Sequence, residues 1–455
     1  MAQADSGRLS NLLKSVQEYI REINDNLLEE SPEDNLFDAG TTTIRFQHQG
    51  FGGLTISGDE AKRYRLILRD LHQGVVDKGD EHTSPRYIEN HLEAAILKAI
   101  DPPGLAKQPF DARLKSAISD LRTSLQIEPT AWQIYTEVAG ISRAGLPFTV
   151  GPITFHLGGD TFAAERVAEW SVMQAKTLNP FEAESLAFQS VEQSLTAKYS
   201  KGVFAQAEVR ATDADAAETL AVEKIRLTLD VLNFFTDIIF RLAQYVRAYL
   251  PGDASDAQRE VLCVSRNGTW NRSVSLAGPL DIYNFSLITP ERAARTGFDA
   301  LMAILAKAKN ERTTMETRVL VACQWAGRAT AETRTDQQFL LYAVALESLL
   351  LGNKDTEITY RLSSRCAHLL GDTLNNRKII SKKTKDLYRI RSKIVHTGST
   401  DVSGEDLGSL WRYVKKSLII VASDEPFTRM TTEEQFEGWF EDRMLGSLEE
   451  ALQPL

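Results

Sequence analysis

At 455 residues the chain exceeds what one ordinary hydrophobic core organises, so two or three domains are expected. With 43% apolar and 25% charged residues it has the composition of a folded globular protein, which excludes disorder over most of its length. A net charge of −10 excludes a uniformly basic body, so any nucleic-acid site must be a local patch.

Leu9, Leu12, Leu13, Val16, Ile20 and Ile23 recur at helical spacing and predict an amphipathic opening helix. Asp5 and Arg8 interrupt the pattern a secretory signal would need, so none is expected. A Pro/Asp/Gly stretch at 31–40 precedes a short strand over 42–47. The Gly-rich turn at 50–53 reads as a hairpin turn and not a phosphate loop, because no Lys-Ser/Thr pair follows it. Helices are expected over 60–76 and 88–100, then a break at Asp101-Pro102-Pro103-Gly104, then a helix over 111–125. Residues 1–125 thus form a mostly helical N-terminal region.

The pattern then changes. Strands are expected at 132–139, at 148–157 (divided by Gly151-Pro152) and at 203–210. Thr212-Asp213 is an N-cap pair opening a long helix from 214 to about 248. Runs at 260–265 and 270–276 flank Arg266-Asn267-Gly268-Thr269, whose Asn-Gly step signals a hairpin. Residues 126–290 therefore read as a mixed α/β domain suited to sensing or targeting. The most membrane-like run, 227–246, carries Asp230, Asp237 and Arg241, each costing about 3 kcal/mol at a bilayer centre. No membrane partner is expected. Cys263, Cys323 and Cys366 are odd in number and far apart, which fits a reducing cytoplasm better than a disulfide framework or a metal cage.

Beyond residue 290 strand signals vanish. Segments 291–309, 313–330, 336–351, 357–370, 376–396 and 404–422 read as helices joined by short polar loops, a bundle spanning 291–455. Residues 337–351, apolar nearly all round, are its expected central helix. The acidic end, with Glu433, Glu434, Glu437 and Glu441, is expected to be a solvated helix pinned by Phe436, Trp439 and Phe440. The fold class is α+β, a mixed N-terminal region followed by an all-α bundle.

Within that bundle 387–399, LYRIRSKIVHTGS, stands apart. As a helix it puts Leu387, Ile390 and Ile394 on one apolar stripe. Arg389, Ser392 and His396 fall on the opposite face, Arg391 falls on the flank, and Gly398 is a stop signal. Eight Lys/Arg against one Asp between Arg377 and Lys393 add a local basic field. Arg65–His72, Arg86–His91 and Arg361–His368 have comparable spacings. Arg391–His396 differs from them in its place in the bundle, the small polar Ser392 after the arginine, and the glycine beyond the imidazole.

Residues 320–420 resemble the HEPN superfamily, in particular the Apea-like HEPN domains of bacterial defence proteins. LESLL at 346–350, ITYRLSSRCAHLLG at 358–371 and LYRIRSKIVHTG at 387–398 carry the likeness, the last matching the motif of Arg, four to six residues, then His. The resemblance implies a cytoplasmic homodimer formed through a HEPN bundle, in which each subunit lends an Arg and a His to a composite cleft. It implies a metal-independent endoribonuclease, with no cofactor, acting on tRNA or mRNA in antiviral (abortive-infection) defence. A phage-derived trigger or another ligand would act at the N-terminal region. The alternative is a non-catalytic HEPN protein that binds RNA or a partner, toxin–antitoxin-like.

Cleavage by the RNA 2′-hydroxyl needs a proton acceptor and a stabiliser of phosphorane charge. Imidazoles titrate near neutral pH, so His396 is the expected general base or acid. Arg391 would hold the phosphate through its planar donor fork. Arg389 gives a second, six-residue spacing to the same His396, and the sequence does not choose between the two arginines. Arg389 and Lys393 would track the backbone, and Ser392, where the family often has Asn, would orient a phosphate oxygen or the imidazole. The competing account is a solvated basic face complementing a helix C-terminus. Glu347, alone in an apolar helix, either orients Arg391 or pairs with Arg361 or Arg365. Cys366 and His368 read as packing residues. Trp132, Tyr135, Phe148 and Phe155 line either a ligand pocket or a sheet core.

Overall fold

The computed structural model describes residues 2–29, 43–48, 51–75, 82–100, 108–175, 186–239, 247–252, 259–264, 270–275, 284–351 and 357–452. The chain divides into two compact units, Met1–Ile134 with Glu208–Val222, and Tyr135–Ala207 with Glu223–Leu455. It is mostly helical with few strands, an α+β chain.

The first unit holds α1 (Ala2–Glu29), β1 (Thr43–His48), β2 (Phe51–Ser57), α2 (Gly58–Val75), α3 (Pro85–Ile100) and α4 (Phe110–Leu125). Apolar stripes explain the packing: Val16, Ile20 and Ile23 of α1 meet Tyr64 and Leu71, Leu92 and Ile96, and Leu114 and Leu121 of the other helices. Phe46 and Ile56 of the hairpin close this core, and each such fully buried side chain contributes about 1.5–3 kcal/mol. β1 and β2 pair antiparallel up to His48↔Phe51, a hairpin as expected, but Phe51, Gly52 and Gly53, expected in its turn, belong to β2. Its turn, the break at 31–40 and Asp101–Gly104 lie outside the described residues.

β3 (Thr130–Val138) and β6 (Val203–Ala211) are divided between the units. With β4 (Phe148–Val150) and β5 (Ile153–Leu157) they form a sheet of order β3-β6-β5-β4. The expected divided strand at 148–157 is a tight hairpin: Val150 pairs with Ile153 around Gly151, whose φ of +55° a side-chain-free residue adopts without strain. Two helices the sequence reading did not name, α5 (Asp160–Ala175) and α6 (Leu186–Tyr199), intervene before β6. β7 (Arg259–Val264) and β8 (Trp270–Ser275) pair as expected, and their Asn-Gly turn lies outside the described residues.

The helix expected to run from 214 to about 248 is shorter. α7 is described over Ala214–Ile239, residues 240–246 lie outside the described residues, and Arg247 and Ala248 are not helical. Instead the buried Asn233 side chain bonds both sides of that residue: Nδ2 donates to the Ala248 carbonyl at 3.0 Å and Oδ1 accepts from its N–H at 2.9 Å. Paired this way, the backbone at Ala248 needs no helix.

The helical part of the second unit follows with α8 (Pro290–Thr296), α9 (Phe298–Ala306), α10 (Thr314–Ala331), α11 (Thr335–Leu350), α12 (Ile358–Leu370), α13 (Leu374–Thr397), α14 (Gly404–Ser423) and α15 (Glu433–Leu452). The single helix expected over 291–309 is two, because Gly297 at φ +72° terminates α8 in a left-handed cap. α11 is central as expected. It buries Phe339, Tyr342, Ala345, Leu346 and Leu349, and packs against α10, α12, α13 and α14. A Cβ at Gly327 would collide with the Asp230 carbonyl, so glycine is what lets α10 approach α7 closely.

Candidate functional site

The site is built on α13. Thr373 caps its start, the hydroxyl accepting from the Asn376 N–H at 3.2 Å. Leu387 and Ile394 are buried on the stripe read from the sequence, and Ile390 is half-buried beside them. The helix stops at Gly398, φ +66°, whose N–H bonds back to the Ile394 carbonyl. That stop leaves His396 in the last turn, exposed.

Arg391 is half-buried and faces Glu347 of the central helix. Its Nε lies 3.3 Å from Glu347 Oε1, within ion-pair reach but not aligned for a hydrogen bond. Tyr388, one turn earlier, donates its hydroxyl to the same oxygen at 2.6 Å, and its ring lies 5.6 Å from the Arg391 guanidinium carbon. Burial, then the hydrogen bond and charge of Glu347, push the Tyr388 phenol well above its ordinary pKa, so it stays a donor. One carboxylate thus takes a hydrogen bond from Tyr388 and faces the charge of Arg391, both on α13.

Of the two accounts offered for Glu347, the geometry realises the one that orients Arg391. Arg361 and Arg365 turn instead to Glu437 of α15, which is buried between them and not solvated as the acidic run suggested. Arg389 is exposed and paired with Asp386 at 2.9 Å. Ser392 is half-buried and Lys393 exposed. Arg389, Ser392 and His396 share one helical face. Five residues apart, Arg391 and His396 leave the axis about 140° from each other. The structure therefore brings Arg391 to Glu347 and Tyr388, but does not join it to His396 within one chain.

Tyr388, which no motif singles out, lies three residues before Arg391 on the same helical face, the one sequence sign that the two side chains share a partner. Lys383 leaves the basic field: it bonds Asp406 of α14 at 2.8 Å, and that bond holds its pKa above the ordinary value. The packing roles expected of Cys366 and His368 fit their positions, Cys366 fully buried and His368 half-buried. Of the aromatic residues of the sheet region, Phe155 is core, and Trp132, Tyr135 and Phe148 are half-buried. Phe148 stacks on Phe285 at 4.4 Å, and Phe155 is buried beside it. Tyr135 lies under the Arg166 guanidinium at 4.4 Å, and Trp132 donates to the Ala211 carbonyl at 2.9 Å. Among the described residues no group of three His, Cys, Asp or Glu side chains is placed to hold a metal, and no helix is long and apolar enough to cross a membrane.

His368 has a pH consequence. Burial, then the charges of Arg377 and Arg443, lower its pKa below the ordinary value near 6.5. The unfolded chain therefore binds this proton more readily than the folded one. Its stabilising contribution is present above about pH 6.5 and is lost as pH falls through the lower folded value. Urea midpoints of His368→Gln measured from pH 7.5 down to 5 should fall less steeply than those of the parent chain. Parallel slopes would remove His368 from the acid response.

Compared with protein-family models, with characterised proteins and with solved structures, the chain has no match.

Proposed function

We propose that the helical unit is a metal-independent endoribonuclease, acting as a homodimer whose subunits pool Arg391 and His396 at one cleft. The observation that carries this reading is the setting of Arg391, half-buried within ion-pair reach of Glu347 and beside the Tyr388 ring, while an exposed imidazole lies in the last turn of the same helix. A positioned guanidinium is what phosphorane stabilisation asks for, since its cost of ordering is met before substrate arrives. The divergence of Arg391 and His396 within one chain favours a cleft completed by a second copy, because a two-fold contact along α13 presents each arginine to the other chain's histidine.

In this reading His396 accepts the 2′-hydroxyl proton as the 2′-oxygen attacks phosphorus. Arg391 neutralises the charge growing on the non-bridging oxygens, and the leaving 5′-oxygen takes a proton from an imidazolium, that of the partner copy. The P–O5′ bond breaks as P–O2′ forms, leaving a 2′,3′-cyclic phosphate and a 5′-hydroxyl. Antiviral defence is the setting that the HEPN resemblance of 320–420 suggests for such an activity, with tRNA or mRNA as target. The test is incubation of the purified chain with total RNA in EDTA. Cyclic-phosphate ends are the expected product, and intact RNA would refute the nuclease.

A second reading, RNA binding without cleavage, is favoured by one observation: Arg391 Nε already lies within ion-pair reach of Glu347 in the single chain. It predicts salt-dependent binding with no products.

A further inference from the structure

The basic field of α13 does not end at the candidate site. Lys378, Lys382, Lys385, Arg389, Ser392 and His396 follow one another at steps of four, three, four, three and four residues, one continuous helical face. At 1.5 Å per residue the run is about 27 Å long. The three lysines are exposed. Toward its start this face forms one wall of a groove of about 410 Å³, whose other wall is α12 with Tyr360, Ser364 and His368. Tyr360 is 59% exposed at the mouth, an unusual setting for an aromatic ring on the surface of a bundle.

A line of cations beside an exposed aromatic is the arrangement that holds a single strand: the charges follow the phosphates and the ring takes a base face. A duplex keeps its base faces stacked and offers the ring nothing. A membrane surface would call for cations around a protruding apolar face, whereas these lysines line a concavity that they share with Ser363, Ser364, Ser381 and Leu374. On a chain of net charge −10 the patch is local, so its attraction is confined to what enters the groove.

We propose that the α12–α13 groove is the entry track for single-stranded RNA, with Tyr360 stacking a base and Lys378, Lys382 and Lys385 contacting successive phosphates on the way to His396. This rests on the reading of RNA as substrate, and it adds the strandedness of that substrate and a binding site remote from the imidazole.

The probe is a fluorescent, unstructured 2′-O-methyl oligoribonucleotide, which lacks the attacking hydroxyl and isolates binding from cleavage. Tyr360→Ala should weaken its binding about tenfold, a stacking energy of ordinary size, while Tyr360→Phe binds like the parent. K378A/K382A/K385A should lower the slope of log affinity against log salt by about 2, three phosphate contacts at 0.7 each. All these positions are exposed, and unchanged melting temperatures will establish that the variants fold. Unchanged affinity and salt slope in both variants would overturn the groove, as would equal binding of a blunt RNA duplex, or sedimentation with phosphatidylserine vesicles but no binding of the strand. Should the groove variants behave as expected while unmodified RNA stays uncut, the track stands and the nuclease reading falls. Should RNA be cut and binding ignore the variants, the reverse holds.

Discussion

His396→Ala is expected to slow RNA cleavage about 10²–10⁴-fold, the usual contribution of a positioned general base, without changing the melting temperature. The second half of that expectation comes from position: the imidazole is exposed in the final turn of α13 and the described contacts of the helix lie elsewhere. Loss of activity together with loss of stability would point to a structural histidine. Wild-type rates in the variant, measured in EDTA, would remove His396 from the reaction. Pooling of residues between subunits adds a sharper outcome. Arg391→Ala and His396→Ala chains, each inactive alone, should recover part of the activity when mixed and allowed to exchange, because some heterodimers keep an intact arginine opposite an intact histidine. No recovery, with exchange demonstrated, would confine the chemistry to one chain and sink the composite cleft.

Periodicity made α13 legible in the sequence. Leu387 and Ile394 are buried where the stripe put them, and Gly398 stops the helix where a left-handed cap was expected. The same reasoning missed the interruption at Gly297, since the apolar spacing continues across it and only the backbone angle reveals the break. Partner choice was the other limit. Glu347 had two accounts because residue spacing says which face a carboxylate occupies but not which helix crosses it. The crossing of α11 with α13 decided for Arg391, and the return of α15 supplied Glu437 to the arginines left over. Glu437 itself sat in a run that reads as solvated. Its neighbours Phe436 and Phe440, both fully buried, were the available sign that this stretch turns one face inward. The basic field was overcounted for the same reason, as Lys383 and Arg389 are taken up by Asp406 and Asp386.

The arginine pair around Glu437, Arg365 buried and Arg361 half-buried, sets the largest expected stability effect. Arg365 is 6% exposed, donates to the Leu350 carbonyl and to Glu437, and lies 5.2 Å from the Phe440 ring. Arg361 reaches the same carboxylate oxygen at 3.0 Å. Glu437→Ala would take the carboxylate from the buried Arg365 and the half-buried Arg361 together, and breaking one side of a buried ion pair costs about 3–5 kcal/mol. Asp386→Ala is the internal contrast. It also removes one carboxylate from one arginine, but Arg389 is 74% exposed and water takes over, so the loss should stay below about 1 kcal/mol. Urea titration of the two variants measures the difference as a shift in midpoint at unchanged slope. Equal midpoints would mean that water reaches Arg365 and that the α12–α15 contact is no anchor. A large shift has a consequence for the site as well. Arg365 holds the carbonyl of Leu350, the last residue of α11, one turn beyond Glu347. Freeing that helix end loosens the carboxylate that positions Arg391, so Glu437→Ala should also lose cleavage rate at temperatures where it remains folded, while Asp386→Ala keeps the α11 anchor intact.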